Sequence, residues 1–481
     1  MRLDPDSCYG ALLARDARFD GSFFVGVSTT GVYCRPVCPA RTPRRDRCTF
    51  YRLAAEAEKA GYRACFRCRP ELAPGGAPID AVPRLVASAL ARIEQGYLNE
   101  HSVAALAAEL GVSDRHLRRA VEDELGVSPV ELAQSRRLAL AKQLLADTAL
   151  SVTEIAFASG FRSVRRFNAL FLRRFARSPS SARGGSALAR EPGAPLKLRL
   201  DFRPPFQWSA LLTFLAARAI PGVESVSCGE YRRVVRVGER TGVLCARLAP
   251  RKNSLSLQLS PALGRDLPTI AMRVRELFDL DARPLAIRER LKHDPHLAPL
   301  VRRRPGLRIP GAFDPFEAVI RALLGQQISV RAATTLAGRI AARFGQPFSA
   351  SLAEPALTHV FPSPKELSRV SVAEIAAIGL PRKRAETVRA VSAAFAERAI
   401  ALPITRQELE DLPHWLRAIP GVGAWTTEYV AMRVLHQPDA FPATDLGLRR
   451  ALGGIAPRAV SERAAAWSPW RAYAVMHLWC A

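Results

Sequence analysis

The sequence lacks any apolar run long enough to cross a membrane, because no stretch approaches the roughly twenty uncharged residues that such a helix needs. The first ten residues do not look like a secretory leader, since Asp4 and Asp6 lie where a leader would carry basic residues, and we expect none. These absences exclude a membrane-spanning protein and favour the cytoplasm, where thiols stay reduced and the nucleoid is accessible. The nine cysteines therefore need an explanation other than disulfide bonds.

Acidic residues are scarce beside basic ones. The chain has 44 Asp and Glu against 70 Lys and Arg, which gives a formal net charge of +26. Such an excess predicts attraction to a polyanion, and nucleic acid is the expected partner. With 481 residues the chain exceeds what one core can bury, so we expect roughly three or four domains.

Small and turn-forming residues divide the first half of the chain. The stretches 73–78 and 178–195 are rich in Pro, Gly, Ser or Ala and predict linkers. Between them apolar residues recur at three-four spacing, as in Val103, Leu106 and Leu110. This periodicity predicts several short helices.

The second half begins with a different pattern. Residues 196–202 and 234–248 alternate apolar and polar side chains around a helix-like stretch at 208–218, which predicts a small α+β unit. From about residue 283 the spacing is helical again and predicts no strand. We expect a multidomain, mainly α protein with segments at 1–78, 79–180, 181–195, 196–282 and 283–481.

Four cysteines near the front form two pairs. Three residues separate Cys34 from Cys38, and two separate Cys65 from Cys68. Four thiolates at such spacing suit one tetrahedral Zn²⁺, which would stabilise a short, Arg-rich segment with little material for a core. Cys48 lies outside both pairs and is not an expected ligand. Four unrelated buried cysteines are the alternative.

The decapeptides TTGVYCRPVC at 29–38 and GYRACFRCRP at 61–70 closely resemble the methyl-phosphotriester repair domain of the Ada family, over residues 1 to about 72. The resemblance implies that Cys34 irreversibly accepts a methyl group from an alkylated DNA phosphate, with zinc keeping the sulfur deprotonated. Methylation would remove one negative charge, worth about 1 kcal/mol beside a phosphate in water and about 4 kcal/mol at an effective dielectric near 20. Damage would thereby tighten DNA binding. A purely structural zinc ribbon is the alternative.

Two stretches follow the order helix, Gly turn, Ser cap and second helix. The turns contain Gly111 with Ser113 and Gly160 with Ser163, a pattern that predicts two helix-turn-helix units. Over about 82–180 the chain resembles an AraC-type DNA-binding domain. The resemblance implies DNA contacts from the second helices, whose candidates are Arg115, His116, Arg118, Arg165, Arg166 and Asn168. Each side chain could read a base, contact a phosphate or remain solvated.

A Gly-punctuated bend lies between two helical stretches near the end of the chain. Pro420 should end one helix, while Gly421 and Gly423 allow close backbone approach and the next helix offers free N–H groups to a phosphate. The pattern predicts a hairpin that grips a DNA backbone, and an ordinary helix-loop-helix with a Gly C-cap is the alternative. A monovalent cation at the hairpin is left open.

The stretch FEAVIRALLGQQIS at 316–329, the hairpin, Asp445 and WRAYAVMHLW at 470–479 resemble the 3-methyladenine DNA glycosylase II (AlkA) family over about 196–481. The resemblance implies a TBP-like α+β domain followed by an all-α helix-hairpin-helix glycosylase, with Asp445 carrying the chemistry. Bases alkylated at purine N3 or N7 are cationic and leave readily, so one carboxylate stabilising charge on the sugar would suffice. An Asp at a helix start is also a typical N-cap, and the two roles can coexist.

The same resemblance assigns the remaining site residues. Trp425, Tyr429 and Trp479 occupy pocket positions where an extruded cationic base would stack, although three aromatic residues on helices are also typical of a core. Gln326 and Gln327 are expected to contact DNA. Gln327 stands where the family has an apolar Leu wedge, a departure that leaves hydrogen bonding as its way of filling the gap.

Three absences narrow the activity. Trp425 occupies the position where strand-cutting glycosylases carry Lys, and no Lys follows Lys383, so no Schiff base is expected. After residue 245 the sequence contains a single cysteine, Cys480, which is too few for an iron–sulfur cluster. No Pro-Cys-His-Arg motif occurs, so we predict no O6-methylguanine repair.

Together these features predict a fused alkylation-damage protein. A zinc sensor of methyl phosphotriesters and AraC-type transcriptional activator would be joined to a monofunctional glycosylase that releases alkylated bases. Expected partners are damaged and promoter double-stranded DNA and RNA polymerase, with the chain a monomer. The alternatives are a regulator whose glycosylase half is a non-catalytic DNA clamp, and an enzyme targeted by its front modules without a promoter role.

Overall fold

The structure is a computed structural model that describes residues 3–75, 84–94, 96–148, 150–183, 194–250, 253–349, 356–398 and 406–481. The chain divides into two compact units. The front unit comprises Met1–Pro204 and Arg251–Met272, and the rear unit comprises Pro205–Pro250 and Arg273–Ala481. Among the described residues, every helix is too short or too polar to cross a bilayer.

The front unit opens with a small mixed sheet. Its elements are α1 (Pro5–Leu13), β1 (Phe24–Val27), β2 (Val32–Cys34), β3 (Cys48–Tyr51), α2 (Ala54–Lys59) and β4 (Arg63–Ala64), with strand order β3-β1-β2-β4. β1 pairs antiparallel with β2 and β3, and all four of its residues are buried. β2 runs parallel to β4, with Tyr33 opposite Ala64. Because parallel strands end at the same edge of a sheet, Cys34 and Cys65 reach that edge side by side.

Among the described residues of the front unit, seven α-helices follow: α3 (Arg84–Glu94), α4 (Val103–Glu109), α5 (Asp114–Leu125), α6 (Pro129–Asp147), α7 (Val152–Ala158), α8 (Val164–Phe175) and α9 (Pro179–Ala182). Each of α4 to α9 begins at a serine whose Oγ accepts a backbone N–H of the first turn, at Ser102, Ser113, Ser128, Ser151, Ser163 and Ser178. α4 packs on α5 and α7 on α8. The two predicted helix-turn-helix units are therefore present, with α6 between them in the chain.

The predicted α+β segment contains β5 (Leu196–Asp201), α10 (Trp208–Ala216), β6 (Glu224–Ser227), β7 (Glu230–Val237), β8 (Arg240–Leu248), β9 (Ser254–Leu259) and α11 (Leu267–Leu277). In the front unit, β5 pairs antiparallel with β9, with Leu198 opposite Leu257. In the rear unit, β6, β7 and β8 form an antiparallel meander, with Val234 opposite Val243. The predicted alternation at 196–202 and 234–248 thus corresponds to strands.

The remainder of the rear unit is mainly helical. Its elements are α12 (Pro284–Leu291), α13 (Leu297–Arg303), α14 (Pro315–Leu324), α15 (Val330–Phe344), β10 (Gln346–Pro347), β11 (His359–Val360), α16 (Pro364–Ser368), α17 (Val372–Ala376), α18 (Arg382–Glu397), α19 (Arg406–Arg417), α20 (Ala424–Arg433), α21 (Leu446–Ala451), α22 (Pro457–Ala464) and α23 (Arg471–Trp479). Nine of the ten residues of α14 are buried, and this helix packs against α15, α18 and α20. α14 therefore lies at the centre of the helical core.

The prediction that no strand follows residue 283 is wrong. β10 and β11 pair antiparallel, with Gln346 opposite Val360. The carbonyl of Gly222 accepts hydrogen bonds from the backbone N–H groups of Thr358 and His359 and so holds β11. Two-residue strands are too short to show alternation of apolar and polar residues, so no sequence pattern marks them.

The predicted linkers are described in part. Residues 76–78 of the first and 184–193 of the second lie outside the described residues. The second begins with the short helix α9 rather than with irregular chain. The boundaries of the five predicted segments stay predictions.

Candidate functional site

The hairpin connects α19 to α20 through the predicted glycines. Gly421 has φ +90°, and a Cβ there would lie 2.2 Å from Oγ1 of Thr387. Gly423 is the N-cap of α20 and offers no side chain to accept the first N–H groups of the helix. A Cβ added at Gly423 would have no contact within 4 Å. Gly421 is therefore required by packing inside the protein, whereas Gly423 leaves open space beside the free N–H groups of α20.

Asp445 lies where two tryptophans converge. Its Oδ2 accepts a hydrogen bond from Nε1 of Trp425 at 2.9 Å, and its Oδ1 accepts one from Nε1 of Trp479 at 3.0 Å. As the N-cap of α21, Asp445 also accepts the backbone N–H of Leu448 at 2.8 Å. Three donors fix the position of the half-buried carboxylate. The cap and the predicted charged group are the same side chain.

The predicted aromatic residues lie next to one another. The rings of Trp425 and Tyr429 are stacked, with centroids 5.2 Å apart and an interplanar angle of 23°. Tyr429 and Trp479 have centroids 6.2 Å apart, and Trp479 stacks on Phe214 at 6.4 Å. Trp425, Tyr429 and Trp479 are half-buried rather than fully enclosed. Aromatic faces beside one carboxylate form a surface suited to a flat, cationic ring.

Guanidinium groups lie behind Tyr429. Nη1 of Arg433 donates to Oη of Tyr429 at 2.7 Å, and the guanidinium of Arg433 lies 5.3 Å from the ring centroid of Phe214. Burial by itself would raise the pKa of Tyr429, but the positive charges of Arg433, Arg218 and Arg321 lower it below its ordinary value. The phenol oxygen is therefore held as a hydrogen-bond acceptor.

The two glutamines after α14 have different environments. Nε2 of Gln326 donates to the carbonyl of Gly421 and to Oγ1 of Thr426, each at 3.0 Å. Gln326 thus stabilises the hairpin by hydrogen bonds to its backbone and to a residue of α20. Gln327 is exposed and has φ +57°, a conformation that L-residues rarely adopt. Ile328 next to it is 37% exposed, so the tip of this loop is available to another molecule.

The four paired cysteines come together in the front unit. Their Sγ atoms all lie within 4.8 Å of one another. Four sulfurs bound to tetrahedral Zn²⁺ at about 2.3 Å lie about 3.8 Å from one another. The cluster would therefore need to contract only slightly to bind this ion. Hydrogen bonds among the sulfurs raise the pKa of Cys34, chiefly through Cys38, and that of Cys68, chiefly through Cys34. They lower the pKa of Cys65 and lower that of Cys38 to about 7, in both cases chiefly through Cys34. Cys48 lies instead in a separate apolar cluster with Cys8 and Val25.

Cys34 is half-buried, whereas the other three cysteines of the cluster are buried. A cavity of about 420 Å³ borders it, and four arginines are among the lining residues: Arg41, Arg63, Arg67 and Arg177. The cavity also borders Cys38 and Cys65, and Cys34 is the least buried residue of the cluster beside this positively charged space. This environment suits a phosphate ester.

Helices of the helix-turn-helix region bind the loops of this cluster. On α6, Nζ of the buried Lys142 donates to the carbonyl of Cys65 at 2.7 Å and to Glu71 at 2.8 Å. On α8, Arg174 pairs with Glu58 at 3.3 Å, and Glu58 accepts from Oη of Tyr33 at 3.0 Å. Residues beside two of the thiols are therefore held by helices that belong to the DNA-binding region.

The predicted DNA-contacting side chains lie on the second helix of each helix-turn-helix unit. Arg115 and His116 on α5 and Arg165, Arg166 and Asn168 on α8 are exposed. Arg118 is half-buried, and its Nε pairs with Asp114 one turn earlier at 3.0 Å. Five of the six side chains are thus open to solvent, and the sixth is engaged within its own helix.

Sequence reasoning missed several groups beside these sites. Phe214 and Arg218 come from the α+β segment and carry no motif, so no local signal marked them. Arg433 lies one helical turn after Tyr429, and this spacing could have found their contact. The ion pairs around Arg35, the residue after Cys34, had no signal in the sequence either.

Four protein-family models match the chain in succession. They are the metal binding domain of Ada at residues 7–71, a helix-turn-helix domain at 106–185, the AlkA N-terminal domain at 197–314, and the HhH-GPD superfamily base excision DNA repair protein at 320–459. Each model covers a segment in which the corresponding pattern was found.

Curated relatives include one of full length. The probable bifunctional transcriptional activator/DNA repair enzyme AlkA of Mycobacterium tuberculosis (strain H37Rv) is 41% identical over 487 residues, covering 100% of this chain and 97% of that protein. DNA-3-methyladenine glycosylase 2 of Escherichia coli K12 is 34% identical and matches 58% of this chain and 95% of its own length. The bifunctional activator and repair enzyme Ada of the same organism is 35% identical over 33% of this chain and 43% of its own length.

Among solved structures, a 3-methyladenine DNA-glycosylase from Archaeoglobus fulgidus superposes with a TM-score of 0.51 at 22% identity, covering 58% of this chain and 96% of that one. At this identity the likeness concerns the fold. It agrees with the helical architecture of the rear unit.

Proposed function

The chain belongs to the family of bifunctional proteins that join an Ada-type regulator to an AlkA-type glycosylase, and we propose that it both excises alkylated bases from DNA and senses methylated DNA phosphates. The main support for the excision activity is that the indole N–H groups of Trp425 and Trp479 hold the carboxylate of Asp445 in place. A negative charge and a stacking surface meet at one place, as hydrolysis of a cationic nucleoside requires.

In base excision, Trp425, Tyr429 and Trp479 would receive the extruded base by stacking. The C1′–N bond breaks with its electron pair leaving on the alkylated base, which is thereby neutralised. Asp445 stabilises the positive charge that develops on the sugar, and water adds at C1′ while its proton is lost. Because the leaving group is already cationic, no protein group has to protonate it.

We propose that the hairpin and the two glutamines after α14 bind DNA without forming a covalent bond to it. Gly423 and the first N–H groups of α20 would bind a DNA phosphate, since this helix start has no side-chain cap. Gln327 would enter the gap left by the extruded base, because its side chain is exposed at the loop tip. Gln326 supports the hairpin through Gly421.

In phosphotriester sensing, Cys34 is the proposed acceptor. Its thiolate sulfur attacks the methyl carbon, the carbon–oxygen bond breaks, and the electron pair stays on the phosphate oxygen as a diester anion. Cys34, Cys38, Cys65 and Cys68 would hold Zn²⁺, which would keep the sulfur of Cys34 in thiolate form at neutral pH. The greater accessibility of Cys34 and the basic cavity beside it support this assignment.

Transcription activation is the proposed output of that transfer. Loss of one negative charge near the DNA favours binding, and the exposed residues of α5 and α8 would contact the promoter. The bonds from α6 and α8 to the loops of the cluster support a connection between the two events. We further propose RNA polymerase as the protein partner and a cytoplasmic monomer as the working form.

One protein sample can test both activities. Incubation with 3-methyladenine-containing DNA should release free base, and incubation with methyl-phosphotriester DNA should methylate Cys34, as identified by peptide mass spectrometry. Wild-type protein that binds lesion DNA without releasing base would identify the glycosylase half as a clamp. Absence of a methyl group on Cys34, with zinc present, would identify a structural zinc ribbon.

A further inference from the structure

Arg35 connects two members of the thiolate cluster to buried carboxylates. Its backbone N–H lies 3.4 Å from Sγ of Cys68, and its Nη1 donates to the carbonyl of Cys68 at 3.2 Å. Arg35 is 4% exposed. Its Nε donates to Oδ1 of Asp20 at 2.8 Å, and its Nη2 donates to Oδ2 of the same carboxylate. Since Arg35 directly follows Cys34, its position constrains both cysteines.

The second carboxylate of this network comes from the segment that begins the glycosylase half. Asp201, the last residue of β5, is 2% exposed and lies 2.8 Å from Nη1 of Arg35. Arg199 on the same strand donates to both oxygens of Asp201, at 2.7 and 3.0 Å. Two carboxylates and two guanidiniums balance in charge, which is the condition under which buried ions persist.

Neighbouring residues attach the same segment to other parts of the front unit. Nε of Arg203, which is 1% exposed, donates to the carbonyl of Asp20 at 2.9 Å. Nε2 of Gln143, on α6, donates to the carbonyl of Arg199 at 2.9 Å. Residues 199–203 are therefore bonded both to the support of Arg35 and to the helix that holds Cys65.

We propose that Asp201 is a positioning residue for the thiolate cluster, which acts through the guanidinium of Arg35 to hold Cys34 and Cys68 at the spacing that zinc needs. The first strand of the glycosylase half is then part of the methyl sensor rather than a neighbour joined by a linker. This inference rests on the proposed function only where it concerns methyl transfer. Groups that support metal ligands in this way typically change metal affinity by about 10- to 100-fold when removed.

The test uses the full chain with Asp201→Asn, which keeps size and removes charge. We expect zinc affinity, measured by chelator competition, to fall by about tenfold, and the absorption spectrum of the cobalt-substituted protein to shift. Methyl transfer to Cys34 should slow, while base release from 3-methyladenine DNA stays at the wild-type rate and reports an intact rear unit. Lys197→Gln, at an exposed position of the same strand, should match wild type throughout.

A double-mutant cycle separates positioning from general support. If Asp201 acts through Arg35, the effects of Asp201→Asn and Arg35→Met on zinc affinity are far from additive. Arg35→Lys, which keeps the charge but cannot span the carboxylates and the carbonyl of Cys68, gives a second route if Asp201→Asn folds poorly. Additive effects, or wild-type zinc affinity and cobalt spectra in both Asp201→Asn and Arg35→Lys, would overturn the proposal. Wild-type protein that binds zinc but accepts no methyl group would refute the function of Cys34 and leave the positioning result standing.

Discussion

Replacing Asp445 by Asn changes one charge in a geometry that is otherwise preserved. The amide oxygen can stay at the Oδ1 position, where it accepts from Leu448 and Trp479 at 2.8 and 3.0 Å. The amide NH2 then replaces Oδ2 and faces the indole N–H of Trp425, formerly 2.9 Å away. The variant keeps the helix cap, loses one hydrogen bond and loses the negative charge.

The charge dominates the expected effect. A carboxylate about 4 Å from a unit positive charge contributes about 4 kcal/mol at an effective dielectric near 20. Since each 1.36 kcal/mol is a factor of ten in rate, base release should slow by about 10³-fold. The lost hydrogen bond should cost only about 0.5–1.5 kcal/mol of folding stability. Lesion binding should therefore survive.

Single-turnover release of free base from 3-methyladenine DNA measures the rate, and a binding titration measures affinity. Asp294→Asn is a matched control, because Asp294 also accepts an indole N–H, from Trp467 at 2.9 Å, and backbone N–H groups of His296 and Leu297. It should excise at the wild-type rate. Asp445→Asn with a rate within tenfold of wild type, or Asp294→Asn with an equal loss, would refute the role of the Asp445 charge.

Two further predictions concern the hairpin and the pocket. Gly421→Ala should lower folding stability by more than the roughly 1–2 kcal/mol that a left-handed L-residue costs, because the new Cβ would meet Thr387. Gly423→Ala should fold normally and bind DNA more weakly. Equal thermal stability of the two variants would contradict this distinction. Tyr429→Phe removes the acceptor of the Arg433 guanidinium, which is 6% exposed, and should cost about 1–3 kcal/mol in thermal or denaturant unfolding. An unchanged unfolding midpoint would show that Arg433 finds another partner.

The features that were predictable from sequence are those encoded over short distances along the chain. Three-four apolar spacing, Gly turns and the caps Ser113 and Ser163 predicted the helices α4, α5, α7 and α8, and alternation at 196–202 and 234–248 predicted β5, β8 and the end of β7. Paired spacing selected Cys34, Cys38, Cys65 and Cys68, which the parallel strands β2 and β4 bring together. Asp445 could be recognised as a helix cap because an N-cap depends on its immediate neighbours.

Partners that meet only through packing were not predictable in the same way. No sequence pattern predicted that the indole N–H groups of Trp425 and Trp479 would donate to the two oxygens of one carboxylate, or that Gln326 would donate a hydrogen bond to Gly421. The resemblance named these residues without saying how they touch. The same holds for Asp201 and Arg35, whose ion pair joins the first strand of the glycosylase half to the thiol loops.

The sequence by itself determined the order of the modules and the four paired cysteines, because spacing, capping and periodicity are local properties of the chain. The resemblance to a known family added Asp445 as the charged side chain of the candidate active site. The tertiary structure decided which donors surround Asp445, which cysteine of the cluster is least buried, and which carboxylates support the cluster. Those outcomes depend on the packing of residues that are distant in sequence, since burial and electrostatic neighbours exist only once the chain has folded.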